Sequence, residues 1–176
     1  MFKKQDSTPA VIKIFLIFVF AGTLISDFTI YLKFQSSSLH NTSVSYFLWL
    51  FTFLFILRVA GQIPVAVRPV TWLPPMNEWN LLPYRILLPV QLVFIIVMSW
   101  INLTFSNILF ISETNISFGI SLIIFSAVYA FSMPVRYIIR MKRRADQRWF
   151  GGTIPMVFHI VLASYLFTLG LYFYEN

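Results

Sequence analysis

The chain contains no cysteine among its 176 residues. This absence excludes disulfide bonds, thiolate metal sites and cysteine nucleophiles, and it leaves the redox compartment undecided. Charged residues are also scarce, because Lys, Arg, Asp and Glu together make up 11% of the sequence, whereas a soluble domain carries about 25%. Hydrophobic residues make up 59%, and a soluble core of this length would still need a polar exterior. The composition therefore predicts a single integral membrane domain whose apolar surface faces lipid.

Residues that could form a catalytic centre are few and scattered. A haem held by two histidines needs both at a matched depth in the membrane. It is not expected here, because one of the two histidines, His40, falls in a connection between apolar stretches. The acids nearest the membrane, Asp27 in the first apolar stretch and Glu78 in a connection, should not converge on a metal ion. Gly151 and Gly152 stand alone rather than within a phosphate-binding loop. The sequence therefore predicts no metal or cofactor and favours a non-enzymatic protein, while a transferase that borrows a soluble cofactor is left open.

Five apolar stretches have the length of a helix that crosses the hydrocarbon core of a bilayer, about 20 residues. They predict an all-α membrane protein, a bundle of about five transmembrane helices. The predicted spans are residues 14–32, 44–66, 85–103, 118–139 and 154–174. Residues 68–84, rich in Pro and Trp, should lie along the membrane surface, and residues 140–148 form a polybasic connection. The first stretch could instead be a cleaved signal peptide, since lysines precede it, but its apolar part is long for that role.

Lys and Arg residues are distributed very unequally between the two sides of the predicted membrane. Eleven of them flank the spans on the N-terminal side, whereas only Lys33 flanks a span on the other side. Because cytoplasmic connections carry the excess of basic residues, this bias predicts a cytoplasmic N-terminus and, with five crossings, a C-terminus outside. The bias also accounts for the net charge of +7 without a nucleic acid partner.

Three ionisable residues fall inside predicted spans, namely Asp27, Arg58 and His159. Such residues are costly in lipid, and each is a functional hypothesis for that reason. At a rise of about 1.5 Å per residue, Arg58 and His159 should lie at a similar depth in the inner leaflet. Four of the five predicted helices can place polar side chains at this depth, in what we call the polar layer. The predicted ligand-binding residues of this polar layer are Arg58, Gln62, Gln91, Tyr129 and His159, with Ser132 beside Tyr129.

With Arg58 as its only fixed charge, the polar layer suits an anion: a lipid phosphate, a carboxylate or an acidic side chain of a partner. A simpler interpretation is also open. Arg58 could extend toward the headgroups, and the glutamines and His159 could hold helices together by hydrogen bonds. Asp27, in the outer half of its span, could similarly bond to Ser26, Thr29 or a neighbouring helix.

The polybasic connection has a second predicted role beside orientation. Basic residues next to a span attract anionic headgroups by about 1 kcal/mol each, and Trp favours the headgroup level. The predicted headgroup contacts are Arg140, Lys142, Arg143, Arg144, Arg148 and Trp149. Membrane lipids with anionic inner-leaflet headgroups are therefore the predicted partners. On the predicted outer side, three N-x-[ST] sequences are either glycan acceptors or ordinary polar residues of loops: Asn41, Asn102 and Asn115.

Four short stretches together resemble a group of small, uncharacterised bacterial membrane proteins. They are "RVAGQ" (58–62), "WLPPMNEW" (72–79), "LLPY" (81–84) and "RWFGGTIPMVFH" (148–159). The resemblance covers most of the chain after residue 55, and "RWFGGTIP" is its most specific part. It implies a location in the bacterial inner (plasma) membrane and brings with it no activity, cofactor or partner.

Three functions are compatible with these observations. The first is a non-enzymatic protein that binds an anionic lipid, a small anionic ligand or a partner subunit in the polar layer. The second is a subunit of an oligomeric transporter, because Pro64, Pro89, Pro134 and Pro155 fall in the inner parts of the spans and could break the helices beside polar groups. The third is a lipid-modifying enzyme in which His159 acts as a base and Arg58 binds a phosphate or carboxylate. A second copy of the chain or another membrane subunit is the predicted protein partner.

Overall fold

The computed structural model describes residues 10–36, 41–67, 84–106, 115–143 and 152–175. These residues form five α-helices and, within the ranges given, no strand, so the predicted all-α class is confirmed for this part of the chain. The helices are α1 (Ala10–Gln35), α2 (Asn41–Val67), α3 (Tyr84–Ser106), α4 (Ile116–Arg143) and α5 (Ile154–Glu175).

All five helices are long and apolar enough to cross a membrane. Each predicted span falls within one helix, and each helix extends beyond its predicted span at one end or both. Helix α4 continues beyond its predicted span to Arg143, so the start of the predicted polybasic connection, residues 140–143, is helical. Tyr84 is the first residue of α3, and the rest of the predicted surface segment 68–84 lies outside the described residues. The five helices are compatible with a multi-pass membrane protein.

Helix α5 is the centre of the bundle. It packs against α1, α2 and α4, whereas α3 packs mainly against α2. In the most apolar stretch of α5, 61% of the residues are buried, and the corresponding share in α4 is only 11%. Because α5 is enclosed on several faces, its polar residues can meet side chains of more than one neighbouring helix.

The other helices present large apolar side chains outward. Phe18 on α1, Trp100 on α3 and Phe131 on α4 are each exposed by more than two thirds of their surface, at 73%, 69% and 75%. Soluble monomers rarely expose contiguous apolar surfaces of this kind. The outward faces of α1, α3 and α4 are therefore suited to contact with lipid.

The contacts of α5 establish the directions of two neighbouring helices. Asp27 of α1 hydrogen-bonds to Ser164 of α5, and further along both helices Phe34 packs against Tyr174. Helices α1 and α5 are therefore parallel.

Helix α4 runs in the opposite direction to α5. Tyr129 contacts His159, while Phe118, three turns earlier in α4, contacts Phe173 near the other end of α5. The end of α4 and the start of α5 therefore lie on the same side of the bundle. We call this side the inner end, because its basic residues predict a cytoplasmic location.

Helices α4 and α5 come into backbone contact at the opposite end, where two glycines face each other. A Cβ atom added to Gly119 would lie 2.7 Å from the backbone N of Tyr174 and 3.0 Å from the carbonyl O of Gly170. A Cβ atom added to Gly170 would lie 2.9 Å from the backbone N of Ile123. Small residues allow such close approach between membrane helices, so this glycine pair fixes how α4 lies on α5.

Asn115 caps the N-terminus of α4. Its side-chain Oδ1 accepts a hydrogen bond from the backbone N of Phe118 at 3.0 Å. We expect Asn115→Ala to lower the free energy of unfolding by about 1 kcal/mol, because one backbone N–H of the first turn loses its acceptor. Denaturant unfolding in detergent measures this difference. Ser117→Ala, at an exposed position in the same turn, is the control, and an equal loss for that variant would contradict the capping role.

Candidate functional site

Tyr129 of α4 and His159 of α5 form a direct polar contact between the two helices. The Tyr129 hydroxyl lies 2.5 Å from His159 Nδ1, and the two rings meet edge to face with centroids 5.7 Å apart. Phe125, one turn before Tyr129, stacks on the tyrosine ring at 6.1 Å. The His159 ring is therefore held in a defined orientation by groups on α4.

A small cavity of about 60 Å³ opens beside His159, between α4 and α5 at the inner end. We call it the α4/α5 cleft. It is lined by Met133, Arg136, Tyr137 and Arg140 from α4, by Gly152 just before α5, and by Pro155, Met156 and His159 from the first two turns of α5. Within the described part of the chain, this lining contains no acidic side chain. The cleft therefore combines two guanidinium groups with a histidine and a tyrosine.

The electrostatic environment of the cleft is positive. Arg136 and Arg140 are one helical turn apart, so both side chains emerge from the same face of α4. The guanidinium groups of Arg58 and Arg136 both act electrostatically on the side chains of Tyr129 and His159. Arg136, although largely exposed, is therefore close enough to the interior of the bundle to influence the His159 ring.

The backbone at the start of α5 closes one side of the cleft. A Cβ atom on Gly152 would lie 2.8 Å from Cε of Met141 and 3.0 Å from Cε2 of the Tyr137 ring, so a larger residue here would require these side chains to shift. Thr153 Oγ1 lies 3.4 Å from the Tyr137 hydroxyl. Pro155 occupies the first turn of α5, where its missing N–H has the least effect. The N-terminus of α5, which carries the positive end of the helix dipole, thus borders the cleft.

Arg58 lies next to this site but does not line it. Its guanidinium carbon is 5.6 Å from the centroid of the Phe158 ring, a distance that allows a cation–π interaction. Its Nε atom is buried and has no hydrogen-bond partner. The residue therefore contributes positive charge from the α2 side of α5.

Gln62 and Gln91 are placed apart from the cleft. They are buried residues of α2 and α3, exposed by only 2% and 5%, and the Oε1 atom of each has no hydrogen-bond partner. The predicted polar layer is thus divided, because Tyr129 and His159 meet between α4 and α5 while the two glutamines belong to other helices. Residues at the same depth on different helices line one pocket only if their side chains point toward the same space.

The predicted headgroup residues are only partly described. Arg140 lines the cleft, and Lys142 is exposed two residues later in α4. Arg143 is the last residue of α4. Arg144, Arg148 and Trp149 lie outside the described residues, so their predicted headgroup contacts stay predictions.

Sequence reasoning missed two parts of the polar organisation. Arg136 and Tyr137 were not predicted as site residues, although the spacing of Arg136 and Arg140 signals a shared helix face. Gly152 was not predicted as a site residue either, because it belongs to no phosphate-binding motif. The available signal was the spacing of Arg136 and Arg140, one helical turn apart, together with a glycine just before the next helix.

A buried hydrogen-bond network near the other end of α3 was also missed. Asn102 donates from Nδ2 to Thr52 Oγ1 at 2.8 Å and accepts from the Tyr165 hydroxyl at 3.0 Å. Asn102 is completely buried, so its interpretation as a glycan acceptor is wrong. Asn102 instead connects α2, α3 and α5.

Asp27 is tied to a neighbouring helix rather than to its own. Ser164 Oγ on α5 donates to Asp27 Oδ2 at 2.7 Å, whereas Ser26 and Thr29 bond to carbonyl oxygens of α1. The second carboxylate oxygen, Oδ1, is buried without a partner. Of the predicted alternatives for Asp27, the interhelical contact is the one observed.

Comparison with known proteins identifies no relative of this chain. No protein family, no curated protein and no solved structure matches it. Within the described residues, no three His, Asp or Glu side chains come together as a metal-binding group.

Proposed function

We propose that the chain is a multi-pass membrane protein that binds an anionic group in the α4/α5 cleft, on the cytoplasmic side of a bacterial inner membrane. The observation that carries this proposal is the convergence of Arg136, Arg140 and His159 on one cavity whose lining, among the described residues, contains no acid. Guanidinium groups bind carboxylates and phosphates through charge-assisted hydrogen bonds.

Extension of the arginines toward headgroups is the main alternative explanation of these charges. An arginine that only extends to the interface directs its guanidinium away from the apolar bundle. Arg136 instead lines a cavity and acts electrostatically on His159. This arrangement supports a binding site rather than a solvated helix end.

Binding is favoured over catalysis by the chemistry of the same residues. Among the residues that the structure describes, no carboxylate lines the cleft, and the Nδ1 atom of His159 is engaged by Tyr129. When the Tyr129 hydroxyl donates to Nδ1, the Nε2 atom of the neutral ring carries the proton, so neither nitrogen is free to remove a proton as a general base. The protein is therefore proposed to hold an anionic lipid, a small anion or an acidic side chain of a partner subunit, including a second copy of the chain.

Titration calorimetry on the full chain in detergent tests the proposal. Three anionic probes cover the chemistry: dihexanoyl phosphatidic acid, inorganic phosphate and hexanoate. We expect at least one probe to bind, and we expect Arg136→Gln and Arg140→Gln each to weaken that binding about tenfold, because each removes a charge-assisted hydrogen bond.

Lys142→Gln is the matched control, since it removes one positive charge from the same helix end at an exposed position outside the cleft lining. It should leave the affinity within about twofold of the wild-type value, because screening reduces the influence of an exposed charge. Failure of all three probes to bind, or an equal loss in Lys142→Gln, would contradict a specific site.

A further inference from the structure

We infer that the anion held in the α4/α5 cleft is a phosphate-type group, and that His159 contacts it through an Nε2–H whose position is fixed by Tyr129. This inference rests on the proposed function and specifies the ligand of that same site. The phosphate could be carried by a lipid or be free in the cytoplasm, because both present the same oxygens.

The hydrogen-bond donors of the cleft are arranged on more than one side. Arg136 and Arg140 come from α4, whereas His159 and the N-terminus of α5 lie on the other wall. A carboxylate offers two oxygens in one plane, and a single guanidinium can bind both of them. A phosphate monoester carries three terminal oxygens that point in different directions. Donors from two walls therefore suit the tetrahedral group better than the planar one.

The hydroxyl of Tyr137 adds a donor at the same wall as the arginines. It lies 3.4 Å from Thr153 Oγ1, which donates to it, so its own proton can be directed to another acceptor. The ring lies close to Gly152, because a Cβ atom added there would be 3.0 Å from its Cε2. Helix N-termini bind phosphate in many proteins through backbone N–H groups and the dipole, and here such a terminus is combined with two arginines.

The contact between Tyr129 and His159 determines which ring nitrogen can donate. A neutral imidazole carries one N–H, and its other nitrogen is an acceptor. When the Tyr129 hydroxyl donates to Nδ1, the proton of the ring must be on Nε2. Tyr129 does not line the cleft while His159 does, so the ring edge opposite Nδ1 is the one that meets the ligand. Tyr129 is therefore a positioning residue, and His159 Nε2–H is the donor.

The size of the cleft also agrees with one small group. A cavity volume of roughly 10 to 15 Å³ is enough to hold a water molecule. The cleft, with a volume of about 60 Å³, therefore accommodates a group of several heavy atoms. Met133 and Met156 form its apolar part. This composition matches a charged headgroup whose less polar remainder contacts the methionines, and it also leaves room for a free phosphate ion.

The three-probe calorimetric experiment distinguishes the ligand classes. Both phosphate probes, dihexanoyl phosphatidic acid and inorganic phosphate, should bind at least about tenfold more tightly than hexanoate, since only they use the donors on both walls. The tighter of the two identifies a lipid or a free source. Hexanoate binding as tight as phosphate binding would overturn the inference and leave the proposed anion site intact, whereas no binding of any probe would overturn both.

Two substitutions test the role of the tyrosine–histidine pair. His159→Phe keeps a ring but removes the donor, and Tyr129→Phe removes only the hydroxyl. Each should weaken phosphate binding about fivefold or more, consistent with the loss of one hydrogen bond in a partly buried site. Tyr46→Phe is the control, because Tyr46 is 74% exposed on α2. Unchanged phosphate affinity in both site variants would overturn the assignment of His159 as a donor.

The tautomer of His159 provides a readout that loss of packing alone would not change. The chain contains two histidines, so ¹⁵N-labelled histidine gives two imidazole signals, and His159→Phe assigns them. We expect the Nε2–H form of His159 in the wild-type protein and a loss of this preference in Tyr129→Phe. A wild-type His159 that carries its proton on Nδ1 would overturn the positioning role of Tyr129.

Discussion

Gly119→Leu should prevent α4 from packing on α5 and should leave little folded protein. The first atom of the new side chain would lie 2.7 Å from the backbone N of Tyr174 and 2.9 Å from the carbonyl carbon of Phe173. These are backbone atoms of a helix, so relief requires displacement of α5 rather than rotation of a side chain. Overpacking of a tight interface costs about 1 to 3 kcal/mol even where side chains can adjust, and we expect a loss above about 3 kcal/mol here.

Thermal unfolding by circular dichroism, together with the fraction of monodisperse protein after gel filtration, measures this effect. Gly22→Leu is the matched control, because a Cβ atom at Gly22 would meet nothing within 4 Å. The control variant should melt at or slightly above the wild-type temperature, since leucine has a higher helix propensity than glycine. Normal folding of Gly119→Leu would mean that α4 and α5 are not in backbone contact.

We expect Asn102→Ala to lower the free energy of unfolding by about 2 to 3 kcal/mol, the second largest effect predicted. The substitution leaves a cavity and removes the hydrogen bonds to Thr52 and Tyr165. The side chain is completely buried and accepts from Tyr165 while it donates to Thr52. After the substitution, the Tyr165 hydroxyl keeps only the carbonyl of Met98, at 3.3 Å. Interhelical hydrogen bonds in membrane proteins average about 0.6 kcal/mol, so the cavity should supply the larger share.

Denaturant unfolding in detergent compares this variant with Thr104→Ala in the same helix. The hydroxyl of Thr104 bonds to the carbonyl of Trp100 on its own helix, and its loss should change the free energy of unfolding by less than about 0.5 kcal/mol. A double-mutant cycle with Tyr165→Phe isolates the coupling between Asn102 and Tyr165. Additive losses would show that the hydrogen bond contributes nothing to stability.

The five helices could be predicted from the sequence because the requirement for a span is local. A bilayer of fixed thickness demands about 20 apolar residues in succession, and each such run became a helix. The central position of α5 could not be predicted in this way, because all five spans are similarly apolar. It follows from small and polar residues, such as Ser164 and Gly170, that let neighbouring helices approach and bond.

The site could be predicted only as far as depth allowed. A constant rise per residue placed Tyr129 and His159 at one level, and their side chains are in contact. The same rise per residue also placed Gln62 and Gln91 at that level, but these two residues do not line the cleft. Depth along a helix does not determine which direction a side chain faces, and that direction depends on how the helices rotate against one another.

The central position of α5 has a consequence for the order in which the protein is assembled. During synthesis, α1 to α4 leave the ribosome before α5 and enter the membrane without their main packing partner. Asp27 can bond to Ser164, and Asn102 to Tyr165, only after the fifth helix has been translated. Because membrane helices insert first and associate afterwards, we expect the four earlier helices to pack incompletely until α5 is inserted.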